Sequence, residues 1–217
     1  MTEITVRFVP GSPFGRAVAA VLEEKGLPWR LIALRPGDHK NPAYLALHPF
    51  GRMPLIEHGD FQLYETQAIL RYVDRIAPKP PLTPADPRAE ARMNQVMGIL
   101  DWYLFPRSVA LLFPRVVAPR LGLPVDESGI PEALPQVKLC IDALSGILGA
   151  QDFMAGATPS LADFALAPHI DFLELAVEGR EMLATHANLR AWLKRMNARP
   201  SLASTTWDAM SERAAAA

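Results

Sequence analysis

The chain has 217 residues, half of them hydrophobic, enough for one large domain or two modest ones that each bury a core. Lys and Arg number 22 against 23 Asp and Glu, a near balance that argues against a general electrostatic partner such as nucleic acid. The single cysteine, Cys140, excludes an intrachain disulfide or a multi-cysteine metal site, and five scattered histidines without a His-x-x-x-His pair argue against a metal.

The start, Met1-Thr2-Glu3-Ile4, lacks the basic opening and apolar run of a secretory signal. No stretch approaches the roughly 20 uninterrupted apolar residues of a bilayer span. The expected location is cytoplasmic, with no membrane partner. Ile4, Val6 and Phe8 alternate with Thr5 and Arg7, which predicts a strand. After Pro10-Gly11-Ser12-Pro13, the residues Phe14, Ala17, Val18, Val21 and Leu22 recur at helical spacing, and Gly26 is the expected stop. A second strand is predicted at residues 29–33; strand, helix, strand over this length implies a parallel pair joined by a right-handed crossover.

A loop and a short helix near residues 42–47 come next. Leu55-Ile56-Glu57 and Phe61-Gln62-Leu63 flank His58-Gly59-Asp60 as an antiparallel hairpin. Ile69, Tyr72, Val73 and Ile76 then mark one apolar helix face. The order is βαβαββα, that of a thioredoxin-like α/β domain, assigned to residues 1–78. Residues 79–87 form a Pro-rich linker, because their prolines neither continue a helix nor donate to a ladder.

Residues 88–217 read as an all-helical domain. Leu134, Val137, Ile141, Leu144 and Leu148 make one apolar stripe that also carries Cys140, expected to be buried and inert. Ser160-Leu161-Ala162-Asp163 has the form of a capping box, and Pro168 is expected to kink the helix that follows. Further helices are expected at 187–198 and 202–210. Five prolines and two glycines in residues 114–135 predict a loop.

Four features point to chemistry. Ser12 and Gly15 stand where thioredoxin-like redox proteins carry two cysteines, at a helix N-terminus that stabilises anions. The chain therefore lacks dithiol chemistry of its own, but Ser12 can steady a sulfur anion brought by a ligand. A free thiol titrates near 8.5, so holding a thiolate at neutral pH takes about 1.4 to 2.7 kcal/mol. Met53-Pro54 precedes the third strand, where a cis bond would let the Met53 backbone pair with an extended peptide. Glu65-Thr66 opens a helix and offers a carboxylate seat. His39-Lys40 supplies cations in the loop before the second helix. Each also has an ordinary structural explanation: a helix cap at Ser12, a strand start at Pro54, a cap at Glu65-Thr66, a solvated loop at His39-Lys40. Taken together, the four fit a short peptide with a central thiol and a carboxylate at each end, which is glutathione.

At this point the chain resembles the glutathione S-transferase family, most closely its phi-type enzymes and their bacterial relatives. The resemblance rests on Gly-Ser-x-x-x-Arg-x-Val at 11–18, Leu-Glu-Glu-Lys-Gly at 22–26 and Asp-His-Lys-Asn-Pro at 38–42. It continues with His-Pro-Phe-Gly-Arg-Met-Pro at 48–54, Gly-Asp-Phe-Gln-Leu-Tyr-Glu-Thr-Gln-Ala-Ile at 59–69, and the 160–163 box. It implies that Ser12 donates to the glutathione sulfur and that His39 and Lys40 hold the glycyl carboxylate. Met53, beside Pro54, would bind the cysteinyl backbone, and Glu65 with Thr66 the γ-glutamyl end. Arg52 replaces the family's usual glutamine and adds a cation near the peptide, while Thr66 replaces serine and keeps the hydroxyl. A small hydrophobic electrophile would lie in a cleft between domains, lined by Phe14, Trp102 and Tyr103, with Leu112 or Phe113 as further candidates and the 114–135 loop gating access. The resemblance implies a homodimeric transferase using glutathione as cosubstrate, with no metal. A glutathione-dependent peroxidase or disulfide reductase, or a non-catalytic glutathione-binding protein, are the alternatives.

Overall fold

The first strand, β1 (Ile4–Phe8), is flanked by β2 (Trp29–Ala33) in parallel and by β3 (Leu55–His58) antiparallel, and β3 pairs antiparallel with β4 (Phe61–Tyr64) in the order β2-β1-β3-β4. The computed structural model describes residues 3–216; Met1 and Thr2, on which the reading of the N-terminal start rests, lie outside the described residues, as does Ala217. Ile4 pairs with Trp29 and with His58, and Leu55 with Tyr64, so the antiparallel hairpin predicted around Gly59 forms. Gly59 adopts φ 65°, the left-handed turn that a side chain would disfavour.

Helix α1 (Pro13–Glu24) crosses from β1 to β2 and buries Ala17, Val18, Val21 and Leu22. A single 3₁₀ turn at Asp38–Lys40 leads to α2 (Pro42–Leu45), and α3 (Thr66–Ile76) follows β4. Gly15 is buried in the first turn of α1, where an added Cβ would lie 2.3 Å from the Phe8 ring. That absence of a side chain is what lets α1 pack closely on β1.

Beyond the linker, α4 (Pro87–Ile99) starts with Pro87 just inside a cap by Asp86, whose side chain accepts from the Ala89 amide at 2.9 Å. The helix runs on through a wide turn at Leu100–Leu104 into α5 (Phe105–Leu112), then through a second wide turn at Phe113–Val117 into α6 (Ala118–Leu121). Residues 114–121, expected as loop, are therefore helical, and the loop is confined to about the residues between Gly122 and Gly129. The reason lies in the wide turns. The Phe105 amide bonds the Leu100 carbonyl and the Ala118 amide the Phe113 carbonyl, five residues back, loosening the ladder where Pro106 and Pro114 cannot donate. The run Pro87–Leu121 has the length and apolar content of a membrane-crossing helix, yet Met93, Val96, Met97, Leu104 and Leu111 are buried in the structure.

Helix α7 (Ile130–Leu148) buries Val137, Ile141, Leu144 and Leu148 of the predicted stripe, leaves Leu134 half-buried, and buries Cys140, whose thiol is pushed up by burial. Helix α8 (Leu161–Leu173) contains Pro168 and is buried along nearly its whole length. Asp163, at its start, accepts from Met154 N and Trp192 Nε1 through one oxygen and from Ser160 N and Ser160 Oγ through the other, all at 2.8 Å. Burial pushes this carboxyl up while the four donors pull it down. Helices α9 (Val177–Ala184), α10 (Ala187–Asn197), α11 (Pro200–Ala203) and α12 (Trp207–Ala215) complete the chain.

Two compact units result: Met1–Thr83 with Asn197–Ala217, and Pro84–Met196. The chain end, grouped by sequence with the helical domain, thus belongs with the first unit. Glu24 of α1 accepts from Ser201 Oγ at 2.6 Å and pairs with Arg199, and Glu23 pairs with Arg213 at 2.9 Å. Residues 79–83 are equally tied down. Asp74 accepts from the Leu82 amide at 3.0 Å and from Thr83 Oγ1 at 2.6 Å, and the buried Lys25 ammonium bonds both Asp74 and the Pro80 carbonyl.

Candidate functional site

The turn between β1 and α1 is closed by the Ser12 amide donating to the Val9 carbonyl at 2.9 Å, after Gly11 at φ 94°. Ser12 is the N-cap of α1, and its Oγ accepts from the Gly15 amide at 3.1 Å. The ordinary cap role is thus present. It does not compete with thiolate binding: a cap uses an oxygen lone pair, whereas a sulfur anion would take the hydroxyl hydrogen. Among the described residues that hydrogen has no protein acceptor.

Met53 reaches the same turn from the other side of the chain. Its Sδ accepts from the Val9 amide at 3.4 Å, and the Met53-Pro54 bond is cis. Met53 lies two residues outside the β3 ladder, which begins at Leu55. The Leu55–Tyr64 pair sets the next residue, Glu65, across from Pro54. Tyr44 fixes the segment before it, donating from its buried hydroxyl to the Arg52 carbonyl at 2.7 Å; burial pushes this phenol up to about 12, so it stays a donor.

Glu65 is the one non-glycine residue with positive φ among those described, at φ 71° and ψ 113°. Such a conformation costs on the order of 1–3 kcal/mol and collects at functional sites. Its side chain is exposed and does not cap α3, which leaves the positive helix terminus to another anion. Thr66, the first residue of α3, is half-buried beside it.

Lys40 donates to the Gly51 carbonyl at 3.2 Å. Gly51, at φ 55°, has no room for a side chain, since a Cβ would lie 2.9 Å from the His39 carbonyl and 3.3 Å from Lys40 Nζ. This close approach brings residues 39–40 against residues 51–52. Burial, then Lys40 and Arg52, push the His39 imidazole below its ordinary range, with Asp38 opposing. At neutral pH the cations of this loop are therefore Lys40 and Arg52, and His39 offers a neutral ring. Buried His48 is pushed down by burial while Glu65 raises it and Arg52 lowers it, so the two charges act on one neighbourhood. Its ring stacks on Tyr64 at 4.3 Å.

Ser12, Met53, Pro54, Glu65, Thr66, His39, Lys40 and Arg52 thus all belong to the first unit. Phe14 is half-buried in the first turn of α1. In the second unit Trp102 is 79% and Tyr103 63% exposed, while Leu112 is buried. Among the described residues no cluster of three or more His, Cys, Asp or Glu could hold a metal. Sequence reasoning missed Tyr44, Gly51 and the strain at Glu65. Tyr44 just before residues 48–54 and Gly51 within them were visible, but nothing local marks a glutamate for positive φ.

A four-stranded mixed sheet with βαβαββα order, and a cis-proline beside the Ser12 turn, define a thioredoxin-like domain followed by a helical second unit. The glutathione S-transferase N-terminal domain family matches residues 8–81, and the glutathione S-transferase C-terminal domain family matches residues 127–195. Glutathione S-transferase 3 of Zea mays is 31% identical over 211 residues, 94% of each chain. The apo structure of glutathione S-transferase III superposes with a TM-score of 0.83 at 28% identity, covering 94% of this chain and 95% of that one. A glutathione transferase homologue from Sulfitobacter, solved with bound glutathione, superposes at 0.77 and 28% identity, covering 94% and 97%. The chain belongs to the glutathione S-transferase family, and its relatives include plant phi-class enzymes.

Proposed function

We propose that this protein is a glutathione transferase that adds the thiolate of bound glutathione to a small hydrophobic electrophile. The observation that carries the reading is the Ser12 hydroxyl, seated at the mouth of α1 with its oxygen engaged by Gly15 and its hydrogen available. In the step, the glutathione thiol gives its proton to solvent. The sulfur lone pair then forms a carbon–sulfur bond, and either a leaving group departs with its electron pair or an activated double bond takes a proton. Ser12 and the amides of α1 hold the negative sulfur beforehand; a hydroxyl donor plus a helix terminus supplies the roughly 1.4–2.7 kcal/mol that the pKa shift requires. The enzyme otherwise contributes proximity.

In this reading the Met53 main chain pairs with the cysteinyl backbone beside Pro54. Glu65 binds the γ-glutamyl amine, and Thr66 with the α3 terminus binds the adjacent carboxylate. Lys40 and Arg52 attract the glycyl carboxylate, and neutral His39 donates a hydrogen bond. The glutathione in the Sulfitobacter neighbour supports the ligand. Within the first unit, Phe14 in the first turn of α1 is assigned to the electrophile. The working form is a homodimer in the cytoplasm, and sedimentation will establish the oligomer.

The decisive assay compares wild type with Ser12→Ala for conjugation of glutathione to an activated aryl halide and for retention on immobilised glutathione. The variant is expected to stay on the column and lose conjugation by about tenfold to a hundredfold, the equivalent of one to two pKa units. Equal conjugation by both proteins would reduce Ser12 to a helix cap. Retention without conjugation in wild type, with turnover of an organic hydroperoxide or a mixed disulfide instead, would reassign the reaction.

A further inference from the structure

The space beside the Ser12 turn is filled by a residue from the far end of the chain. A Cβ built on Gly11 would lie 2.4 Å from Cε2 and 2.5 Å from Cδ2 of Trp207, so the indole occupies the position that any side chain at Gly11 would need. Gly11 holds φ 94°, and Ser12 follows it at φ −70° and ψ 117° as the N-cap of α1. The turn is thus bounded on one side by Val9 and Met53 and on another by Trp207.

The segment that carries Trp207 is anchored to the rest of the first unit by its neighbours in the chain. Thr206 caps α12, its Oγ1 accepting from the Ala209 amide at 3.3 Å. Arg213, near the end of α12, pairs with Glu23 at 2.9 Å, donates to the Trp29 carbonyl at 3.2 Å and stacks 3.9 Å over the Trp29 ring. One turn upstream, Ser201 and Arg199 bond Glu24, and Arg16 donates to the Leu202 carbonyl at 3.3 Å. The chain end therefore grips α1 along its length, and Trp207 is the residue by which that grip reaches the turn before Ser12.

We infer that Trp207 is a positioning residue for the thiol site: its indole holds the Gly11-Ser12 turn and so aims the Ser12 hydroxyl at the sulfur. This rests on the reading of Ser12 as the thiolate's donor. A rigid wall matters because a hydrogen bond to a charged acceptor weakens steeply with misalignment. An apolar ring here also keeps water from competing for the α1 terminus, where a lower local dielectric strengthens the field on the sulfur.

The test titrates the thiol of bound glutathione by its thiolate ultraviolet absorbance, with kcat and KM measured alongside. Trp207→Ala is expected to raise the bound thiol pKa by about one unit and lower kcat at pH 7 about tenfold, with KM for glutathione within about twofold. Trp207→Phe, which restores a flat ring, should recover kcat to within about threefold of wild type. In a Ser12→Ala background Trp207→Ala should add no further pKa shift, because the two act through one group. Should Trp207→Ala not fold, Trp207→Leu, apolar but without a flat ring, carries the same comparison. If Ser12→Ala itself leaves the thiol pKa unchanged, the thiolate reading fails. If Ser12→Ala shifts it while a folded Trp207 variant does not, or if the two shifts add, the positioning role is overturned and the thiolate reading stands.

Discussion

Gly15 donates its amide to the Ser12 hydroxyl oxygen at 3.1 Å while the Phe8 ring fills the space a Gly15 side chain would need. The pair stands where a redox relative would carry two cysteines, and it shows why that chemistry is not merely unused but sterically closed. A second thiol at position 15 would collide with the sheet.

Capping and thiolate holding at Ser12 are separable. Ser12→Ala should cost about 1 kcal/mol of stability through the lost cap and raise the pKa of bound glutathione. Ser12→Asp should keep the stability, because a carboxylate is a good cap, yet raise that pKa at least as far by placing a negative charge beside the sulfur. Chemical denaturation and the ultraviolet titration read the two effects independently. A Ser12→Asp protein with wild-type thiol pKa would refute the assigned role.

At Glu65 the comparison of interest is between two variants that both lack the carboxylate. Glu65→Gly should be more stable than Glu65→Ala by about 1 kcal/mol, since glycine adopts φ 71° without the steric cost. Both should bind immobilised glutathione more weakly than wild type. Equal stability of the two would mean that no backbone strain resides there.

The Asp74 carboxyl is pushed up by burial, but Lys25, Thr83 and the Leu82 amide together outweigh this and hold it below the ordinary range. A depressed folded value means that its contribution to stability is fully present above the unfolded pKa of about 4 and is lost as pH falls through the folded value. Asp74→Asn should therefore flatten the acid limb of the stability curve. At neutral pH the variant should lose about 3–5 kcal/mol, because the buried Lys25 charge loses its carboxylate and keeps only the Pro80 carbonyl. Urea melts at several pH values between 3 and 7 measure both; an unchanged acid limb would remove Asp74 from the account.

Asp163 accepts four hydrogen bonds in a fully buried position. Asp163→Ala strands those donors and should cost about 3–5 kcal/mol, while leaving the thiol site of any folded fraction unaltered. Thermal melts together with the specific activity of the surviving protein check this. A loss below about 1 kcal/mol, the worth of a single ordinary hydrogen bond, would show that the donors find water instead.

Much of the architecture is carried by short-range patterns. Alternation at Ile4, Val6 and Phe8, the Gly59 turn, and the helical spacing of Ala17, Val18, Val21 and Leu22 are properties of a few neighbouring residues, and the structure uses them as written. The capping box at Ser160 and Asp163 is equally local, although the Trp192 and Met154 donors that complete it are not. The stretch 114–121 misled because proline is a helix breaker only when its missing donor is needed, and the wide turns of this helix relax that need.

From its sequence alone this chain specified a thioredoxin-like order of elements, a serine where a redox cysteine would stand, and the residues that could meet a thiol peptide. Folding decided the rest: that Ser12 keeps its hydrogen after capping α1, that Glu65 takes a strained backbone, that His39 loses its charge to burial and its cationic neighbours, and that Trp207 closes on Gly11. Trp207 and Gly11, like Arg52 and His39, are separated in the chain, and their approach is set by packing and desolvation rather than by any pattern within a single element.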